Sequence, residues 1–175
     1  AGEVKLTNVS LLSKQADVAV CDALVRAGAL VESEPNSITV SHRDLVAFEF
    51  DATQCPDLFP ALVALAAAAE GVSTIYGIER LRGKESDRGE VLKQEYAKLG
   101  IEIELDYDEN VMRVVGGKVV AAEVDSHDDH RIAMSLAITA LRLEDKIDII
   151  NPECVAKSYP SFFEDLETLK HSGRE

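Results

Sequence analysis

Apolar and polar positions alternate over residues 4–9 with the two-residue period of a strand. From Asp17 to Ala27 the period lengthens. Val18, Cys21, Leu24 and Val25 fall on one face of a helix, and Gly28 follows as a residue suited to end it. Short apolar runs at 29–32 and 37–40 flank a turn at 33–36 that contains Pro35, and a third run covers 45–50, so three strands are expected. The turn-rich loop Asp-Ala-Thr-Gln-Cys-Pro-Asp at 51–57 then opens a helix that ends near Gly71. That helix is almost entirely Ala, Leu and Val, which predicts burial on most of its sides.

The order then recurs. A strand is expected at 72–78, a helix at 86–99 closed by Gly100, and strands at 101–105 and 111–115 around a turn at 106–110. A further strand covers 119–124, and the polar loop Asp-Ser-His-Asp-Asp-His at 125–130 opens a helix over 131–143. A strand at 146–150 and a last helix at about 160–169, with Lys157 ahead of it, complete the pattern. Asp51 and Asp125 open equivalent loops, and 125 − 51 = 74. Ala61 and Leu62 match Ser135 and Leu136 at that offset, as do 38–40 and 112–114, while Gly28 and Gly100 are 72 apart. Lys14, Lys84 and Lys157 hold similar places ahead of the first helix of each copy. The pattern predicts an α/β fold of repeated βαβαββ-like units, with copies at about 4–71 and 72–145 and a partial third at 146–175.

Composition narrows the partners. The 175 residues are 46% hydrophobic, enough for a packed core, and carry a formal net charge of −14. Such a charge disfavours nucleic acid, whose phosphates need a basic face, without excluding a small anion held by a local cluster of cations. Cys21, Cys55 and Cys154 have no metal-type spacing and read as buried thiols of a reducing compartment, hence a cytoplasmic protein. No signal peptide is evident, and the apolar run at 62–69 is too short to span a bilayer, so no membrane partner is expected. The chain opens Ala-Gly-Glu without Met and enters a strand almost at once, which suggests a piece of a longer protein.

The candidate chemistry gathers at 81–88, Leu-Arg-Gly-Lys-Glu-Ser-Asp-Arg, a polar octet between a strand and a helix. Ser86 or Asp87 can cap that helix, which puts Arg88 in its first turn. Free amides and the partial positive charge of a helix start, joined by Arg82, Lys84 and Arg88, suit a phosphate or carboxylate. On its own, a charged helix start is more often a solvated cap.

Three further stretches change that weighting: Asp-His-Arg-Ile-Ala-Met at 129–134, Pro56 and Asp57 ahead of a helix, and Cys-Val-Ala-Lys-Ser-Tyr-Pro at 154–160. With Lys-Glu-Ser-Asp-Arg at 84–88, in this order and at these separations, they resemble the C-terminal lobe of the 5-enolpyruvylshikimate-3-phosphate synthase family, over residues 4–169. The resemblance implies a two-lobed transferase of the shikimate pathway, each lobe made of three βαβαββ units. It moves the enolpyruvyl group of phosphoenolpyruvate onto the 5-hydroxyl of shikimate 3-phosphate, releases phosphate, and uses no metal or organic cofactor. By position, Asp57 matches the family's base and a shikimate ligand. Lys84 matches a lysine that contacts substrate and shares in proton transfer, and Glu85 a carboxylate that handles the methylene proton. Arg88, Arg131 and Lys157 match phosphoenolpyruvate ligands, and His130 a site histidine. The family often has an Asn shortly before the lysine; residues 77–83 contain none.

Residue chemistry agrees with these roles independently. Addition to an enol ether needs one proton delivered to carbon and another taken from a hydroxyl, work for a lysine or carboxylate beside a second carboxylate. Guanidinium groups suit the carboxylate and phosphate of phosphoenolpyruvate, and preorganised cations stabilise a departing phosphate. The resemblance also implies that the N-terminal lobe of the same enzyme is a missing partner supplying half of the ligands, so this chain alone is expected to be inactive. Arg88, Arg131 and Lys157 are expected on one surface. The partial third unit is expected to leave a free strand edge or bare apolar face beside the last helix, around Phe162, Phe163, Leu166 and Leu169, inviting self-association.

Other readings compete. One is an enolpyruvyl transferase acting on UDP-N-acetylglucosamine. Another is a metal-dependent phosphohydrolase using His127, Asp128, Asp129 and His130, and a third is a non-catalytic acidic domain. Residue by residue, Asp57 could merely cap its helix, Glu85 pair with Arg88 at the surface, and His130 pack or cap. Arg131 and Lys157 could be ordinary surface cations.

Overall fold

A computed structural model describes residues 2–84, 86–143 and 146–172. Its first sheet is β1 (Glu3–Thr7), β2 (Leu30–Glu34) and β3 (Ser37–Ser41), with β3 in the middle and antiparallel to both. Between β1 and β2 runs α1 (Val20–Arg26), entered through a 3₁₀ turn at Ala16–Ala19, so the single helix expected over 17–27 is split. Gly28 follows it with φ +94°, the left-handed conformation that ends the helix.

The second sheet has the order β4 (Glu49–Asp51), β5 (Val72–Tyr76), β7 (Val111–Val115), β6 (Glu102–Asp106). β4 is parallel to β5, and α2 (Phe59–Ala68) makes the crossover. β5 and β6 are both antiparallel to β7, with α3 (Arg88–Lys98) between β5 and β6. The third sheet is β8 (Glu123–Asp125) parallel to β9 (Asp148–Ile150), joined by α4 (His130–Ala140), and α5 (Phe162–Ser172) closes the chain.

Hydrogen bonding groups these strands in a different frame from the sequence period. The period, starting at residue 4, puts β4 and β8 at the end of a copy. In the structure each joins the sheet that follows it. A parallel pair needs a crossover helix, and α2 and α4 supply it. Among the described residues, only 49–115 forms a full βαβαββ sheet unit. The sheet before it lacks an equivalent of β4, and the sheet after it lacks equivalents of β6 and β7.

The strands expected at 45–50 and 119–124 are markedly shorter than their apolar runs. At 45–50 the backbone serves other elements first: the Val46 amide donates to the Ala27 carbonyl and the Ala47 amide to the Glu70 carbonyl, so only 49–51 pairs as a strand. At 119–124, the Val120 amide donates to the Leu99 carbonyl, and pairing begins at Glu123.

The core sits around α2, whose Phe59, Leu62, Val63, Ala66 and Ala67 are fully buried. Ile75 and Met112 from the sheet, Leu92 and Tyr96 from α3, and Leu99 just after it pack in the same cluster. α4 is two-sided: Ile132 and Leu136 join that core, while Ala133 and Ala137 build a second one with Cys154, Val155 and Phe162. The last helix is therefore seated, with Phe162 buried and Phe163 and Leu166 packed against the second core. The bare face expected there is confined to Leu169, which is 51% exposed. No helix among the described residues is long and apolar enough to cross a membrane.

Candidate active site

Three polypeptide starts converge because the chain keeps turning from strand to helix on one side of the molecule. Asp57 lies in the 3₁₀ turn Pro56–Leu58 that leads into α2. Pro56 opens that turn, and no side chain caps it or α2, so the Asp57 carboxylate is left for other partners. α3 starts at Arg88 behind Asp87, whose carboxylate accepts from the Glu90 amide. α4 starts at His130 behind Asp129, whose carboxylate accepts from the Arg131 amide at 3.0 Å.

Arg88 ties these starts together. Its Nη1 donates to Asp57 Oδ1 at 2.7 Å and its Nε to Asp129 Oδ2 at 2.7 Å. Its side chain is 1% exposed and that of Asp129 is 0% exposed. Arg88 is thus not the solvated cap that its position suggested: its guanidinium is buried and engaged by the carboxylates of Asp57 and Asp129. Asp57 also accepts from Lys84 Nζ at 3.1 Å. Arg131 reaches the same residue twice, with Nη1 on the Asp57 carbonyl at 3.2 Å and Nη2 by the carboxylate at 3.4 Å. Arg131 Nη1 also lies 3.7 Å from Asp17 Oδ2, and Ser86 Oγ donates to Asp129 Oδ2. Asp17 stands at the edge of an open groove of 490 Å³ that is lined by Leu6, Val18, Cys21 and Ile38.

Lys157 stands apart from the Asp57 cluster and contacts the 125–130 loop that carries Asp129. It ends the 3₁₀ turn Pro152–Lys157 and donates to the Asp128 carbonyl at 2.8 Å, with the Asp128 carboxylate 2.9 Å away. His130 has its Nδ1 buried without a hydrogen-bond partner among the described residues, a polar atom facing inward at the start of α4. Glu85 lies outside the described residues.

The charges hold one another in the ionised state. Burial works to raise the Asp57 carboxyl, but hydrogen bonds from Lys84 and Arg88 and the charge of Arg131 outweigh it and leave it below the ordinary value. Asp129 follows the same logic: burial is overcome by the Arg88 bond and charge, the Arg131 amide and Ser86. The Asp128 carboxylate raises the Lys157 ammonium above its usual value. The arrangement pairs an ionised, part-exposed carboxylate, Asp57, with three cations, Lys84, Arg88 and Arg131, and holds a fourth, Lys157, on Asp128. It offers a proton acceptor at Asp57 and part-exposed cations for an anion at Lys84, Arg131 and Lys157.

The four adjacent groups His127 to His130 do not share a centre. His127 turns to Glu95, Asp128 to Lys157 and Asp129 to Arg88. Among the described residues, no group of three or more His, Cys, Asp or Glu is placed to hold a metal ion. The structure also brings in Glu95, which carried no site role in the sequence, and gives Asp129 and Ser86 roles other than the metal ligand and helix cap considered for them. Glu95 had a signal: it sits with Val91, Leu92, Tyr96 and Leu99 on the apolar face of α3, where a carboxylate needs a reason to be.

Comparison with known proteins bears on this geometry. The family model described as EPSP synthase (3-phosphoshikimate 1-carboxyvinyltransferase) matches residues 1–166. A 3-phosphoshikimate 1-carboxyvinyltransferase of Clostridium perfringens is 40% identical over 168 residues, covering 95% of this chain and 39% of the relative. A solved EPSP synthase structure from Acinetobacter baumannii superposes with a TM-score of 0.83 at 31% identity, over 95% of this chain and 41% of that one. The enolpyruvyl transferase NikO from Streptomyces tendae shares the fold at a TM-score of 0.68 and 24% identity, over 96% of this chain and 38% of its own. The chain thus spans about two fifths of the length of these relatives.

Proposed function

The chain belongs to the EPSP synthase family, and from that premise we propose that it forms the C-terminal lobe of a two-lobed transferase. That enzyme would transfer the enolpyruvyl group of phosphoenolpyruvate to the 5-hydroxyl of shikimate 3-phosphate and release phosphate. The observation that carries the proposal is the meeting of Lys84, Arg88 and Arg131 on one part-exposed carboxylate, Asp57. A substrate hydroxyl placed there meets an ionised base, with an ammonium 3.1 Å from the same oxygen.

In this reading Asp57 takes the hydroxyl proton as the oxygen attacks the substituted enol carbon. A proton goes to the methylene carbon, and Lys84 and Glu85 are the groups proposed to deliver and recover it. When the C–O bond to phosphate breaks, a proton leaves the new methyl group and the double bond reforms. Arg131 and Lys157 offset the charge of the substrate and of the departing phosphate. Arg88 joins them when the anion displaces Asp57 from its guanidinium, and until then it fixes Asp57 against Asp129. His130 offers an unpaired buried nitrogen at the mouth of α4.

The second lobe supplies the remaining ligands in this proposal. Two features of the chain fit a larger assembly: β1 is exposed along all five residues, and β9 pairs only with β8 among the described residues. A cytoplasmic setting fits as well, since Cys21, Cys55 and Cys154 are all unpaired thiols. A phosphate-release assay with both substrates tests the proposal. The chain alone is expected to be silent, and adding the complementary lobe is expected to restore release. Turnover by the chain alone at the rate of the assembled enzyme would refute the need for a second lobe, and release that survives Asp57→Ala and Lys84→Ala would refute the site.

A further inference from the structure

Glu95 is a fully buried carboxylate seven residues beyond Arg88 on α3, and the cluster around Asp57 does not use it. Three donors meet it. His127 Nε2 lies 3.0 Å from Oε1, the Asp125 amide donates to Oε2 at 2.8 Å, and Lys98 Nζ donates to Oε2 at 2.7 Å. Two of these come from the loop 125–130 that delivers Asp129, His130 and Arg131. That loop is conformationally expensive: His127 and Asp128 are consecutive non-glycine residues with φ +50° and +59°. Such a course persists only when its surroundings over-determine it. Here the Asp125 carboxylate accepts from the His127 amide at 2.7 Å, and Ser126 Oγ accepts from the Asp128 amide at 3.2 Å and donates to the Asn151 carbonyl.

From this geometry we propose that Glu95 is a positioning residue for the anion site. α3 grips the loop twice, by Arg88 on Asp129 and by Glu95 on Asp125 and His127. The second grip fixes the left-handed pair, and with it the Asp128 carbonyl that holds Lys157 and the Asp129-capped start of the helix that carries Arg131. The proposal deepens the assignment of Arg131 and Lys157 as anion ligands and rests on it. Burial alone would raise the Glu95 carboxyl, but its Lys98, His127 and Asp125 donors leave it below the ordinary value, so it serves the loop as an ionised acceptor.

Four variants of this chain test the idea, read by amide hydrogen exchange over 125–131 and by titration with inorganic phosphate followed at the Arg131 amide. Glu95→Ala should speed exchange at Asp129 and Arg131 roughly tenfold or more and weaken phosphate binding by a similar factor. Glu95→Gln should largely restore both, since an amide can still accept from Asp125 and donate to a neutral His127. Lys98→Ala removes only the solvent-side partner and should change neither readout. If Glu95→Ala fails to fold, His127→Ala carries the test, with the same local acceleration expected while the melting midpoint stays close to wild type. Unchanged loop exchange and phosphate affinity in folded Glu95→Ala, or in His127→Ala where the former does not fold, would overturn the proposal. If the wild-type chain binds no phosphate, the anion assignment fails by itself, and loop exchange still decides the role of Glu95.

Discussion

Asp57 and Arg131 are 74 residues apart, the same interval that separates Asp51 from Asp125, and they touch. Arg131 Nη1 donates to the Asp57 carbonyl at 3.2 Å and Nη2 lies 3.4 Å from its carboxylate. Positions related by that interval therefore face each other, one carrying the anion and the other the cation. The loops that deliver them also share local geometry. Asp51 accepts from the Thr53 amide as Asp125 accepts from that of His127, and the Cys55 amide donates to Ala52 as that of Asp129 donates to Ser126. The two loops share this local geometry at one sequence offset and carry opposite charges there.

In the resting cluster, Asp57 occupies cations that the proposed function assigns to an anionic substrate. Replacing Asp57 by Asn removes that competing charge while keeping its volume. In this chain, inorganic phosphate should then bind roughly three- to tenfold more tightly at low salt, an advantage that fades as salt screens the part-exposed cations. Under the proposed mechanism the same change should abolish turnover in the assembled enzyme, because Asp57 is the base there. Calorimetric titration and the phosphate-release assay together check this. Tighter phosphate binding with normal turnover would show that Asp57 is only a counter-ion.

Removing Arg88 strands Asp129 in the interior. Arg88→Ala should cost about 3–5 kcal/mol at neutral pH, the penalty for an uncompensated buried carboxylate. The sign of the pH dependence follows from Asp129. Its folded value is depressed, so its contribution is present above the unfolded value of about 3.9 and is lost as pH falls through the folded one. Wild type should lose stability below about pH 4, whereas Arg88→Ala regains some when Asp129 takes up a proton. Urea unfolding across that range should therefore show the gap between them narrowing as pH falls.

The elements were legible in the sequence because local period and caps specify them. Gly28 and Gly100 close helices, 111–115 reads as a strand from its β-rich composition, and the apolar composition of 59–68 announces a buried helix. The sheet frame was not legible, because strand partnership is a non-local choice. Nothing in 49–51 says that it pairs forward with 72–76 rather than backward with 37–41. The motifs revealed which residues gather, but not that Arg88 would be buried. Its burial depends on Asp57 and Asp129 arriving from 31 residues upstream and 41 downstream.

Gly77 links the second sheet to the octet and is held by contact with the Asp57 loop. It has φ +104°, and a Cβ there would lie 2.9 Å from the backbone of Thr53. Gly77→Ala should cost about 1–3 kcal/mol, since both the conformation and the close approach are lost. The strain falls between the segments carrying Asp57 and Lys84, so amide shifts should change at both. Thermal unfolding and NMR of the variant check this, and a change confined to residue 77 would show that the two segments are positioned independently.

The free strand edges give the last prediction. In the second sheet β5 has a parallel neighbour in β4 and an antiparallel one in β7. Its counterpart β1 has only β3, and β9 has only β8 among the described residues. β1 is exposed at every residue, and Leu6 at 48% and Val4 at 38% exposed alternate with the charged Glu3 and Lys5, so it offers unpaired backbone and apolar side chains that charge blunts only in part. Such an edge recruits another strand unless charge or proline blunts it. The chain alone should therefore self-associate as concentration rises into the range of about 100 μM, typical of weak edge pairing of less than 1,200 Å². Leu6→Lys should shift it toward monomer by placing a charge on that edge, with little effect on stability because Leu6 is half-exposed. The last helix, seated by Phe162, should exchange slowly over its first turn at all concentrations, whereas β1 amides should gain protection only as the chain associates. Light scattering and concentration-dependent hydrogen exchange check both statements. Protection of β1 in a strict monomer would show that this edge is closed by the chain itself.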